Sequence, residues 1–186
     1  SRQLKNQPDG IIKRSDIQSA IRVDNIHFPK TSAIALENTH NLCNGSPLSP
    51  DYIKDVAQIA HDNEMKLHID GARIFNAAVA LDVPASELLE HVDTATFCLS
   101  KGLACPIGSV VVGSKDFILE ADRWRKMLGS GMRQVGVIAA AGIVALDSMI
   151  ERMQEDHDHA RHITSRMAEM PGISVDPEHI QTNIIR

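Results

Sequence analysis

The sequence predicts an α/β protein built on a mixed, mostly parallel sheet covered by helices. Three observations predict it. Short strand-like runs alternate with helix-like periodicity along the chain. The composition is that of an ordinary soluble globular protein, with 43% apolar, 23% charged and 3% aromatic residues in 186. The polar residues that could carry chemistry fall where strands end, which is where α/β sheets build their sites.

The elements follow in order. Asp16 to Ile21 reads as a short helix after the Pro8-Asp9-Gly10 turn, and Ser32 to Leu36 as a buried strand running into Glu37-Asn38-Thr39-His40. Gly45, Pro47 and Pro50 make a loop of Cys43 to Pro50. Ser49 then caps a helix with Pro50 at its first position; Ile53, Val56, Ala57 and Ala60 recur at helical spacing, and Asn63 ends it. In the strand Lys66 to Asp70, Leu67 and Ile69 face one way while Lys66, His68 and Asp70 face the other.

A helix is expected from Arg73 to Leu81, with Pro84 punctuating its exit, and a third strand from Thr94 to Leu99. Ser100-Lys101-Gly102 leaves the carboxyl end of that strand. The loop before Ser109 to Val112 is too short for a crossover helix, so this fourth strand is expected to run antiparallel. Ser114 caps a helix to about Leu128, Gly129-Ser130-Gly131 breaks it, and one long apolar helix is expected from Gln134 to Arg152. Strands alternating with helices imply cover on both faces of the sheet.

Several function classes drop out. With 19 Lys+Arg against 24 Asp+Glu the net charge is −5, and no basic cluster interleaves with aromatics, so a nucleic-acid partner is not expected. The longest apolar run, Val135 to Leu146, has 12 residues. A bilayer needs about 20, so this run reads as a buried helix and no membrane span is expected. Cys43, Cys98 and Cys105 are odd in number and lack metal-like spacing, which points to free thiols in a cytoplasmic protein. His157, His159 and His162 resemble a metal tract, but on a helix 157 and 159 point to different faces, so no metal is expected. Trp124 reads as a packing residue, and Met127 and Met132 as core or interface filler. The chain opens without Met and ends at Asn183 to Arg186 as if in a strand, the pattern of a fragment.

Two residues carry the chemical signal. Asp70 closes a strand and is followed by Gly71, where the backbone can turn tightly or approach a ligand. Lys101 follows the apolar Phe97-Cys98-Leu99, so its backbone is expected near the sheet; a partly buried lysine loses proton affinity and becomes a nucleophilic amine. An amine and a carboxylate on neighbouring strand ends suit a pyridine-aldehyde cofactor. The amine bonds the aldehyde carbon, and the carboxylate keeps the ring nitrogen protonated.

His-Ile-Asp-Gly-Ala-Arg (68–73), followed by Leu-Ser-Lys-Gly-Leu (99–103), resembles the threonine aldolases, pyridoxal-phosphate enzymes of the aspartate-aminotransferase fold. Asp24-Asn25-Ile26-His27-Phe28, Leu36-Glu37-Asn38-Thr39-His40-Asn41, Pro106-Ile107-Gly108-Ser109 and Gly131-Met132-Arg133-Gln134 match in the family's order, over nearly the whole chain. The resemblance implies that Lys101 holds pyridoxal 5'-phosphate and that Asp70 pairs with its ring nitrogen. Arg73 would lie beside the ring's phenolic oxygen and help hold the substrate carboxylate. Ser100 and Arg133 would support the phosphate, Arg133 across a subunit boundary, and His27 would assist deprotonation of the substrate's β-hydroxyl. Residues 1–152 would be the central part of the cofactor-binding large domain, and 153–186 the start of a small C-terminal domain.

The implied reaction is retro-aldol cleavage of L-threonine or L-allo-threonine to glycine and acetaldehyde, in threonine breakdown and glycine formation. The implied assembly is a homodimer or homotetramer with shared sites. Two rivals keep the same residues: a related β-eliminating lyase or racemase, and an inert truncated module that only assembles.

Overall fold

The computed structural model describes residues 1–186. Four strands form one sheet in the order β1 (Ala33–Glu37), β2 (Lys66–Asp70), β3 (Thr94–Cys98), β4 (Ser109–Gly113). β1, β2 and β3 are parallel, with Glu37 opposite Asp70 and Asp70 opposite Thr96, and β4 returns antiparallel as the short preceding loop requires. The two parallel steps pass through α2 (Pro50–Asp62), and through α3 (Ile74–Leu81) with the short α4 (Ala85–Leu88). α1 (Arg14–Ala20) precedes the sheet, and α5 (Lys115–Met127), α6 (Gly136–Ser148) and α7 (Met153–Ala168) follow it.

Local signals decide where these elements begin. Ser49 Oγ accepts the Tyr52 N–H at 3.3 Å, and Ser114 Oγ accepts the Phe117 N–H at 3.2 Å, so both serines cap as their positions predict. α2 buries Ile53, Val56, Ala57 and Ala60 against Leu67 and Ile69 of β2. Removing a side chain such as Leu67 from water is worth about 2 kcal/mol. Leu36, Ala95, Ile74 and Ala77 complete this core on the same side of the sheet. A second cluster (Leu99, Leu103, Cys105, Ala145, Met153) lies beyond the end of β3, and Phe75 and Phe97 join the two edge to face, with ring centroids 5.3 Å apart.

The opposite face carries Ala35, His68, Asp70, Thr94, Thr96 and Val111, none of them buried. Cover on both faces is expected; the core helices lie on one face, and on the other α5 reaches only the β4 edge, where Phe117 sits against Gly113 beside Thr94. α6 also departs from expectation. It stops at Ser148, and α7 starts after a four-residue turn, because Met149 and Ile150 turn inward onto the Leu99–Leu103 cluster. Nor is α6 a buried helix: Gly142 and Ala145 are its buried positions, while Val137 is 82% exposed and Ile143 64%. The small residues seat α6 on Leu99, and its large apolar side chains point away. α5 buries no residue, so Trp124 and Met127 are exposed, as is Met132 beyond it. Residues 183–186 lie in no strand.

Candidate active site at the carboxyl ends of β2 and β3

Strand alternation aims Asp70. Leu67 and Ile69 are held in the core, which turns His68 and Asp70 to the open face. Asp70 Oδ1 accepts the Ala72 N–H at 3.1 Å and Oδ2 has no partner, so the carboxylate is anchored at one oxygen and free at the other. Gly71 is required by proximity. Its N–H donates to the Thr96 carbonyl at 2.8 Å, and a Cβ there would stand 2.7 Å from the same oxygen. That contact ties the end of β2 to β3. Arg73 is the N-cap residue of α3, half-buried, with a guanidinium that makes no bond within the chain.

The turn carrying Lys101 is fixed by its backbone. Leu99 N–H donates to the Gly108 carbonyl (2.9 Å), Cys105 N–H to Leu99 (3.0 Å) and Ala104 N–H to Lys101 (2.8 Å). Leu99, Leu103 and Cys105 plug the turn into the second cluster. The Lys101 side chain itself is exposed and has no partner; the partial burial expected of it is not found. The apolar residues before it bury the strand end and leave the amine in solvent. Ser100 is exposed beside it.

Beneath Asp70 on the open face, His68 Nδ1 lies 2.9 Å from Thr94 Oγ1. Beside it, Glu37 shares Asp70's register and face. Glu37 Oε1 accepts the Asn41 N–H at 3.1 Å, and Oε2 is 3.6 Å from His40 Nε2. Asn38, to which the sequence assigned no role, explains how this cluster is held. It is fully buried, its N–H donates to the Asp70 carbonyl at 2.9 Å, and its amide pairs with both backbone groups of Leu48.

Asp70 and Arg73 therefore lie at and just past the end of β2, and Ser100 and Lys101 just past the end of the neighbouring β3. The two remaining candidate residues are His27 and Arg133. Both are exposed on other segments, and the bond at His27 is its own N–H to Asn25 Oδ1 at 2.8 Å. A groove of about 800 Å³ runs along the outer edge of β1 and is lined by neither Asp70 nor Lys101. The carboxylate and amine face open space.

A buried polar pair went unseen in the sequence. His157 of α7 and Asn76 of α3 are 0% and 1% exposed, with Asn76 Nδ2 and His157 Nε2 3.1 Å apart. Burial, with Arg161 adding to it, lowers the His157 pKa and disfavours the charged ring, which suits an Nε2 that accepts from the Asn76 amide. His159 and His162 face solvent, as helical geometry predicts. The tract flagged His157; its partner, 81 residues away, carried no signal.

A family model described as beta-eliminating lyase matches residues 1–186. The chain is 45% identical to a low-specificity L-threonine aldolase 1 of Arabidopsis thaliana over 98% of its length, covering 51% of that protein. It is 46% identical to a low specificity L-threonine aldolase of Escherichia coli O157:H7 over 87% of its length, covering 47% of that protein. The chain thus spans about half the length of the curated relatives it matches. Among solved structures, it is similar to a PLP-dependent aminotransferase from Streptococcus suis 89-1591, with a TM-score of 0.72 and 19% identity, over 96% of this chain and 46% of the other.

Proposed function

The chain belongs to the beta-eliminating lyase family, and on that premise we propose that it carries the core of a pyridoxal-phosphate-dependent threonine aldolase. The reaction is cleavage of L-threonine and L-allo-threonine to glycine and acetaldehyde, serving threonine breakdown and glycine formation. One observation carries the reading. A carboxylate with a free oxygen, Asp70, and an amine without a partner, Lys101, stand at the ends of neighbouring strands over an open face.

The residues suit the cofactor. A free carboxylate oxygen fits a ring N–H, a free primary amine fits an aldehyde, and on the face below, Ala35, Thr94 and Thr96 around His68 are small. When bound, pyridoxal phosphate supplies an electron sink for bond cleavage at the substrate's Cα. Asp70, held at one oxygen by the Ala72 N–H, would pair through its free oxygen with the ring nitrogen and keep it protonated. Lys101, with its free amine, would be the residue that holds the cofactor's aldehyde carbon. Arg73, free of partners at the head of α3, takes the substrate carboxylate. His27 would assist loss of the β-hydroxyl proton, and Ser100 and Arg133 would hold the phosphate.

We read the assembly as a homodimer or homotetramer in which Arg133 acts in a neighbouring subunit's site. The exposed apolar side chains around Arg133 (Leu128, Met132, Val135, Val137) support that reading. The three unpaired cysteines support a reducing, cytoplasmic location. No helix is long and apolar enough to cross a membrane. The break between α6 and α7 supports a domain boundary after residue 152.

Product analysis tests the function. With pyridoxal phosphate and either threonine diastereomer, equal amounts of glycine and acetaldehyde are expected, from the chain or from the protein of its complete reading frame. Formation of 2-oxobutanoate and ammonia would make the protein an eliminating lyase. Epimerised threonine would make it a racemase, and no turnover in either preparation would leave an inert module.

A further inference from the structure

The buried pair of Asn76 and His157 stands directly under the Lys101 turn. A Cβ placed on Gly102, the residue after Lys101, would lie 2.9 Å from Asn76 Oδ1 and 3.1 Å from Met153 Cε. Asn76 sits one helical turn past Arg73 on α3, and Met153 and His157 sit one turn apart on α7. The turn that presents the amine therefore rests on α3, which continues from Asp70 and Arg73, and on α7. One hydrogen bond, at 3.1 Å, clamps those two supports together.

A polar clamp is a costly way to fill a core. His157 Nδ1 is buried without a partner, a penalty that a leucine of similar size would not carry. What the pair adds over an apolar filling is direction. The amide fixes the orientation of α7 against α3, and Asn76 Oδ1 faces the Gly102 backbone. We infer that Asn76 and His157 are positioning residues for Lys101, holding the Lys101–Gly102 turn at a fixed height relative to Asp70. The inference rests on the assignment of Lys101 as the cofactor-binding amine, since that assignment gives the height of the turn its meaning.

The test reads the turn first without cofactor and then with it, in the protein of the complete reading frame. Amide hydrogen exchange at Ala104 and Cys105, whose N–H groups close the turn, reports its opening. His157→Leu keeps the volume and strands the Asn76 amide donor, and is expected to speed exchange at these two amides about tenfold while Leu67 and Ile69 stay protected. His157→Gln returns an acceptor to the amide and is expected to restore protection. Gly102→Ala, which pushes a methyl group into Asn76 Oδ1, is expected to open the same amides and gives a second route should His157→Leu fold poorly.

In the loaded enzyme, His157→Leu is expected to lower kcat about tenfold with KM for threonine little changed, because the amine is displaced while Arg73 keeps its place. Unaltered exchange at Ala104 and Cys105 in both His157→Leu and Gly102→Ala would overturn the inference. So would a uniform rise across the sheet that His157→Gln does not rescue. Failure of the wild-type protein to take up pyridoxal phosphate at Lys101, with the exchange pattern as expected, would instead remove the cofactor assignment and leave the clamp a support of the turn alone.

Discussion

The two ends of the sheet treat an aspartate in opposite ways. At the amino end, Asp93 enters β3 with its carboxylate fully engaged: Lys66 Nζ at 2.8 Å, His61 Nε2 at 2.9 Å and the Leu67 N–H at 2.9 Å. Burial alone would raise its pKa. The bonds from Lys66, Leu67 and His61 outweigh burial and hold it at about 2. At the carboxyl end, Asp70 receives one backbone N–H and leaves its other oxygen free, and the cations around it, Arg73 and Lys101, have no partners. The first end uses its charges up in holding β2 to β3. The second end lets backbone contacts, Gly71 to Thr96 and Asn38 to Asp70, do that work, so its charges remain available to a ligand.

Substitutions sharpen the contrast. Lys101→Ala has the largest expected effect on function: loss of both cofactor uptake and threonine cleavage, with an unchanged melting curve, because the side chain is exposed. Asp70→Asn keeps an acceptor for the Ala72 N–H but cannot hold the ring nitrogen protonated. A loss of a charged hydrogen bond predicts about a hundredfold lower kcat, again with little change in stability, read by steady-state kinetics beside thermal melts.

Asp93→Asn should do the reverse, costing about 2 kcal/mol of stability, or several degrees in Tm, while leaving cofactor uptake at Lys101 intact. Its pH signature has a definite sign. The folded carboxyl titrates at about 2 against an ordinary 3.8, so its stabilisation is complete above the ordinary value and is lost as pH falls toward 2. Urea melts between pH 5 and 2 should show that loss in the wild type and a shallower one in Asp93→Asn. The smallest effect is expected for His61→Gln, under about 1 kcal/mol by the same melts, because His61 is an exposed partner. Equal stability losses in Asp70→Asn and Asp93→Asn would break the comparison.

The legible parts of the fold are those whose signals are local. β2 runs from Lys66 to Asp70 as its alternation requires, the serine caps at 49 and 114 hold, and β4 turns antiparallel for want of a crossover. What was not legible depends on contacts distant in sequence. No glycine or proline marks the break after Ser148; inward packing of Met149 and Ile150 makes it. The apolar run of α6 reads as buried from composition, yet burial follows from which neighbours exist, and here they bury Gly142 and Ala145 and half-bury Ala141. At the site, Asp70 is readable because strand parity aims it. The apolar residues before Lys101 predicted backbone anchoring correctly and side-chain burial incorrectly, since a strand end can be packed while the next side chain leaves the surface. The support beneath Lys101 needs residues 76 and 157 side by side, which no spacing rule supplies.

In the proposed function, the carboxyl end of the sheet holds pyridoxal phosphate through Lys101. Borohydride reduction of the protein incubated with pyridoxal phosphate, followed by peptide mass mapping, tests it most directly. A single pyridoxyl group on Lys101, absent from Lys101→Ala and undiminished in Asp93→Asn, is the result this account predicts. Label spread over surface lysines such as Lys66 and Lys115, with Lys101 no more reactive than they are, would contradict it.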